Sequence, residues 1–253
     1  MGLPMELWQY LLLMCIGVAA GFLNVMAGGG SLLTVPVMIF LGIPAPVANG
    51  SNRIAILVQD ITAIATFFRH GYSDFRLSLS LAMCAIPGAI LGALFGTQLD
   101  GIWFNRVLAA IMLGVMLIMA FGNSPADDRR SPVSRKRLLW GHGLMVAVGF
   151  YGGFIQIGVG FLIMPVLNRI IGLSLVQVNM HKVFIIGSYT LAALIVFALR
   201  VEIMWLLGAA LALGYAAGAW LAVHTTLRRG ERGIKIVLNV VLALFIVKLL
   251  LDY

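Results

Sequence analysis

Apolar runs of membrane-crossing length fill almost the whole chain, and they restrict its fold more than any other feature. Leu7–Ala27, Val47–Phe68, Leu77–Gln98 and Phe104–Gly122 precede a short polar stretch; Leu138–Ile157, Val176–Leu199, Ile203–Val223 and Ile234–Leu251 follow it. Each is close to the roughly 20 residues a helix needs to cross about 30 Å of hydrocarbon. Lipid offers backbone N–H and C=O groups no partner, so such runs must be helices that satisfy their own bonds. Charged residues make up 10% of the 253 positions, against about a quarter in a soluble domain. That cannot cover a water-soluble core, which excludes a cytosolic enzyme, a secreted disulfide scaffold and a disordered chain. The expectation is an all-α polytopic membrane protein.

A net charge of +8 would suggest nucleic acid in a soluble protein. Here most basic residues lie in short connections, where they report topology instead, and no nucleic-acid partner is expected. Cys15 and Cys84 sit inside apolar runs without pairing or metal spacing and read as buried small hydrophobes. The first residues, MGLPMELWQY, contain Glu6 and no basic segment, so the first run reads as a retained helix rather than a signal peptide.

Two shorter runs follow glycine clusters: Ser31–Leu41 after Gly28-Gly29-Gly30, and Gly160–Ile171 after Gly158-Val159. The order repeats on both sides of the polar stretch: long run, glycine break, short run with a proline, three long runs. Gly29 aligns with Gly158, Pro36 with Pro165, Asn52 with His181, Arg53 with Lys182 and Arg106 with Lys235; after a small indel, Gly88 and Gly92 align with Gly214 and Gly218. The chain therefore reads as a tandem duplication: a first transmembrane repeat over 1–122, a basic loop over 123–137 and a second repeat over 138–253.

Connections rich in Lys and Arg belong on the cytoplasmic side. If each glycine-broken pair returns to the side it started from, the two repeats are inverted. Arg69, Arg76, the five basic residues of Asn123–Arg137, Arg169, Arg228, Arg229, Arg232 and Lys235 then share the cytoplasmic side, against Arg106, Arg200 and Lys248 outside. Parallel repeats divide the charges less sharply. The expected fold is thus two inverted-topology repeats, each a glycine-broken helix hairpin followed by three transmembrane helices, in the inner membrane with the central loop cytoplasmic.

Inverted repeats with broken helices place a ligand near the midplane, at the repeat interface. Glycine lets the backbone leave helical geometry and approach a ligand, and a helix start offers N–H groups and a positive dipole end suited to an anion. The bland alternative is that these glycines serve close helix packing. Arg53 and its counterpart Lys182 lie deep inside apolar runs, where a charge marks a functional site or a buried pair. Asn49, Ser51 and Asn52 flank the first, Asn179 and His181 the second: hydrogen-bonding groups without negative charge. The candidate substrate-binding set is Gly29, Gly30, Ser31, Asn49, Asn52, Arg53, Gly158, Gly160, Asn179, His181 and Lys182, with Gln156 as a further lining residue. Asp60, two turns beyond Arg53 on the same face, reads either as its ion-pair partner or as a proton-coupling carboxylate.

The segments GFLNVMAGGGSLLTVPVMIFLGIPAPVANGSNR (21–53), GFYGGFIQIGVGFLIMPVLNRIIGLSLVQVNMHK (149–182) and PGAILGALFG (87–96) resemble the TauE/SafE sulfite-exporter family. The resemblance covers nearly the whole chain, although Val159 stands where the first copy has a glycine. It implies a bacterial inner-membrane carrier for sulfite, a sulfonate such as sulfoacetate, or another small anion. No Gly-rich nucleotide loop ending in Gly-Lys-Ser/Thr and no metal-ligand spacing is present, so no cofactor is expected and transport must draw on ion gradients. The expected partners are a small anion and the bilayer; a homodimer is compatible with both. The rivals are an anion channel and an intramembrane serine hydrolase built on Ser31 and His181.

Overall fold

The computed structural model describes residues 6–98, 106 and 134–251. Helix α1 is Leu7–Met26, α2 is Ser31–Phe40, α3 is Ala45–Arg69 and α4 is Phe75–Gly96. In the second half α5 is Arg135–Phe154, α6 is Val159–Ile171, α7 is Leu175–Arg200 and α8 is Trp205–Leu251. Pro165 denies α6 a backbone donor, and from Val166 to Ile171 it winds as a π-helix. Short polar side chains start several of these helices. Asp74 accepts from Leu77 N, Ser134 from Arg137 N, and Ser174 forms a reciprocal capping box with Gln177.

Among the described residues, four helices are long and apolar enough to cross a membrane: α1, α4, α7 and the Trp205–Arg229 part of α8. α3 has 25 residues but carries Asn49, Ser51, Asn52, Arg53, Gln59 and Asp60, all buried. The partition is the reverse of a soluble protein's. Phe40 is 88% and Leu199 81% exposed, while Arg53, Asp60 and Lys182 are 0% exposed. A hydrocarbon solvent demands that arrangement.

Small residues set how closely the helices pack. α1 lies along α8, where Gly17 and Gly21 meet Gly214, Tyr215 and Gly218; α4 lies along α5, where Gly88, Gly92 and Gly96 meet Val146, Phe150 and Phe154, and Gly149 and Gly153 meet Ala85 and Ala89. These two seams use equivalent helices of opposite halves. At the centre, α3 crosses α7 with Gly187 against the Asp60 Cβ and Gly50 against Phe197, so the two run antiparallel. Arg53 and Lys182 are then about a dozen residues, roughly 18 Å, apart along the shared axis, with Asp60 between them.

Three expectations need correction. Arg228–Lys235 is not a connection: Ile203–Val223 and Ile234–Leu251 join in α8, a helix of 47 residues, about 70 Å long. Residues 224–235 contain no proline, and Glu231 stands three residues after Arg228 and four before Lys235, a spacing that supports a helix through Gly230 and Gly233. Arg135, Lys136 and Arg137 belong to the first turn of α5 rather than to the loop. Arg137 reaches the carbonyls of Ile170 (2.7 Å) and Arg169 (2.8 Å). Cys15 is exposed on the apolar outer face and Cys84 half-buried, because both fall on helix faces turned away from the core. Phe104–Gly122, apart from Arg106, and residues 123–133 of the basic stretch lie outside the described residues.

Candidate functional site

The first break follows α1. The N–H groups of Ala27 and Gly28 both donate to Leu23 O, at 2.7 and 3.1 Å, which closes the helix end. Gly28 then turns the chain at φ +90°. The second break follows α5, where Ile155 N donates to Tyr151 O at 3.0 Å. Gln156 and Gly158 turn the chain at φ +67° and +68°. Tyr151 braces this turn by donating to Ile157 O at 2.5 Å. Left-handed backbone costs a residue with a Cβ about 1–2 kcal/mol. Gln156 is held there by its side chain, which accepts from Arg53 Nη1 at 3.2 Å and donates to Thr190 Oγ1 at 3.0 Å.

The two breaks touch. Gly28 and Gly160 lie backbone to backbone, so that a Cβ on either would collide with the Cα of the other. Gly29 packs under the Phe161 ring, and Gly30 against Ala20 O and Asn24. The glycines therefore serve both readings, turning the chain and permitting close approach.

Each interior cation reaches across to the other half. Arg53 on α3 donates to Gly152 O (3.1 Å) and Gly153 O (2.5 Å), carbonyls at the end of α5. Its guanidinium carbon stands 4.4 Å from the centre of the Phe197 ring. Lys182 on α7 donates to Asn24 O (3.2 Å) and Val25 O (2.6 Å) at the end of α1, and to Asn179 Oδ1 (3.1 Å) on its own helix. Helix C-termini expose unpaired carbonyls and the negative end of the dipole, so each is a natural seat for a cation. Arg53 and Lys182 thus stand in two separate, reciprocal clusters.

The remaining candidates divide between these clusters and a third. Asn49 Nδ2 donates to Phe154 O at 3.2 Å, beside the Arg53 cluster. Asn52 donates to Ser31 Oγ (3.3 Å) and accepts from Thr34 Oγ1 (2.8 Å), which lies 3.0 Å from the Tyr215 hydroxyl. Asn179 joins Lys182 and donates to Thr226 Oγ1 at 3.5 Å. His181 turns away from Lys182, with Nδ1 2.8 Å from Ser78 Oγ on α4. Ser31 and His181 therefore have different partners and form no nucleophile–base pair. Asp60 accepts from Gln59 Nε2 at 2.8 Å rather than from Arg53.

Asn24, Gln59, Tyr189 and Thr190 also belong here, and the sequence alone does not single them out. Asn24 and Gln59 had a signal, an amide inside an apolar run. Tyr189 and Thr190 had none, since both residue types are ordinary in transmembrane helices. Among the described residues, Arg53 Nε, Tyr189 Oη, Asp60 Oδ2 and Asn49 Oδ1 are buried without a hydrogen-bond partner. The first two belong to side chains that both pack on Gly152. Arg53 donates to Gly152 O, and the Tyr189 hydroxyl packs 2.5 Å from where a Gly152 Cβ would stand. Two unpaired donors and a guanidinium thus lie on buried side chains that flank the same glycine.

Residues 13–249 match the family model described as sulfite exporter TauE/SafE. Relatives carry the name probable membrane transporter protein. ORF9 of a Sinorhizobium species is 27% identical over 92% of this chain and 89% of its own length. A Haemophilus influenzae protein is 27% identical over 87% and 86%, and YfcA of Escherichia coli K12 23% over 94% and 88%. No solved structure matches the chain.

Proposed function

The chain belongs to the TauE/SafE family of membrane transporters, and from that premise we propose that it is a secondary carrier for a small anion. Sulfite, or a sulfonate such as sulfoacetate, is the substrate class. The observation that carries this reading is the pair of unpartnered donors, Arg53 Nε–H and Tyr189 O–H, beside a buried guanidinium. An oxyanion satisfies both donors and the charge at once, and hydrogen bonds to charged groups are the strong ones. The Lys182 cluster is the reciprocal station in the other half.

The two halves act as inverted repeats, 1–122 and 138–253, in the bacterial inner membrane, with the basic stretch between them cytoplasmic. The antiparallel crossing of α3 and α7 supports inversion, because repeats related by an axis along the membrane normal keep equivalent helices parallel; the equivalent seams and exchanged cations fit a two-fold relation between the halves. The Gly28–Gly160 contact then lies near the midplane, where two glycine-broken hairpins meet. With Arg53 and Lys182 fully buried, this conformation is closed to both sides. Rocking of one repeat against the other opens the site alternately, and the arriving anion competes with helix carbonyls for the cations.

Proteoliposomes test the reading. With radiolabelled sulfite and sulfoacetate as probes, uptake is expected to saturate and to accelerate when unlabelled anion is loaded in trans. Flux that rises linearly with concentration and shows no exchange would instead indicate a channel.

A further inference from the structure

Asp60 takes no part in the anion site described above, yet its carboxyl group is fully buried at the crossing of α3 and α7. A relay of two side-chain amides leads to it. Lys182 Nζ donates to Asn24 O, Asn24 Nδ2 donates to Gln59 Oε1 at 3.0 Å, and Gln59 Nε2 donates to Asp60 Oδ1 at 2.8 Å. Both amides point their N–H groups toward the carboxyl group, which fixes Oδ1 as an acceptor. Oδ2 has no partner. A carboxyl group with one oxygen held by a donor and the other free can gain or lose a proton there without disturbing its neighbours.

We propose that Asp60 Oδ2 is the coupling-proton site of the carrier, loaded when an anion occupies the neighbouring cation cluster; this rests on the transport reading above. Without the anion, the Asp60 carboxylate offsets the Lys182 charge through the relay. When the anion reaches the Lys182 station it takes over that role, and one proton from the same aqueous side binds Oδ2. Anion and proton then cross together, and both leave on the far side. The titratable groups acting on Asp60 are Lys182 and Tyr189 from α7 and Tyr215 from α8, with Arg53 further along α3 itself. α1 presents Asn24 to α3 at this level, and α2 presents Thr34 two turns earlier, at Asn52; neither titrates. Asp60 is therefore the acidic member of the group.

Asp60→Asn keeps the shape and the Gln59 contact while removing the proton site. In proteoliposomes with sulfoacetate, whose charge is constant between about pH 6 and 8, the wild type is expected to concentrate the anion on the alkaline side of an imposed pH gradient. The variant is expected to keep anion–anion exchange but lose the pH-driven accumulation by at least about tenfold. Infrared pH-difference spectra of the wild type in detergent are expected to contain the C=O stretch of a protonated carboxylic acid that the variant lacks. Asp60→Asn protein that still accumulates sulfoacetate in response to a pH gradient, or that retains the infrared band, overturns the proton assignment and leaves the carrier standing. A wild type that exchanges neither sulfoacetate nor sulfite removes the carrier reading and this assignment with it. Should Asp60→Asn fail to fold, Asp60→Glu carries the same test: it keeps a proton site and is expected to retain pH-driven accumulation, and its loss with exchange intact overturns the assignment.

Discussion

Arg53→Ala protein is expected to carry no measurable anion flux and to be several kcal/mol less stable than the wild type. The guanidinium supplies hydrogen bonds to Gly152 O, Gly153 O and Gln156 Oε1 in a site closed to water. Each acceptor left without a donor there costs roughly 1–3 kcal/mol. Gln156 also loses the contact that helps hold its left-handed backbone. Loss of flux in that variant therefore mixes folding with function, and Arg53→Lys separates them. An ammonium keeps the charge and reaches a carbonyl, but it has no planar fork, and a methylene stands where Arg53 has Nε–H. Arg53→Lys is expected to fold, with a modest fall in melting temperature, and to transport at about one tenth of the wild-type rate or less. Normal rates in Arg53→Lys would mean that the guanidinium caps α5 and does nothing else.

Gly28→Ala is expected to disrupt assembly of the two halves, through a different mechanism. Its φ of +90° costs an alanine about 1–2 kcal/mol. The added methyl group also meets the Gly160 backbone, which cannot retreat without separating the two breaks; overpacking of that kind costs typically 1–3 kcal/mol or more. Two companion variants resolve the parts. Gly42 has φ +85° and nothing within 4 Å of where a Cβ would stand, so Gly42→Ala reports the backbone cost alone. Gly160 has no positive φ, so Gly160→Ala reports the collision alone. Thermal unfolding in detergent should rank Gly42→Ala as mildest and Gly28→Ala as most severe. Equal effects at Gly28 and Gly42 would mean that the two breaks do not touch.

The helices and the breaks could be read from residue types because lipid leaves the backbone little choice. Twenty apolar residues must form a helix, and Gly28–Gly30 and Gly158 must interrupt it. Arg53 and Lys182 were conspicuous for the same reason, as charges where lipid tolerates few. Their partners were hidden. An acid that matches Arg53 in sequence lies two turns away at Asp60, whereas the groups it bonds are backbone carbonyls a hundred residues on, and a carbonyl carries no residue label. The partner of His181 was hidden too: neighbours on a helix face about 100° apart, so beside Lys182 in sequence the imidazole meets Ser78 in space. The junction at 224–235 misled because its charges suggest a loop while the absence of proline lets α8 continue.

Tyr189→Phe tests the anion site with little collateral change, because the Tyr189 hydroxyl makes no well-formed hydrogen bond and has the Gln156 side chain beside it. In equilibrium binding of radiolabelled sulfite and sulfoacetate to purified protein, the variant is expected to bind about tenfold or more weakly, as removal of one hydrogen bond to a charged ligand implies. Its ligand-free melting temperature is expected to equal or exceed that of the wild type. Unchanged affinity for both anions in a folded Tyr189→Phe protein would contradict an anion seated between Tyr189 and Arg53.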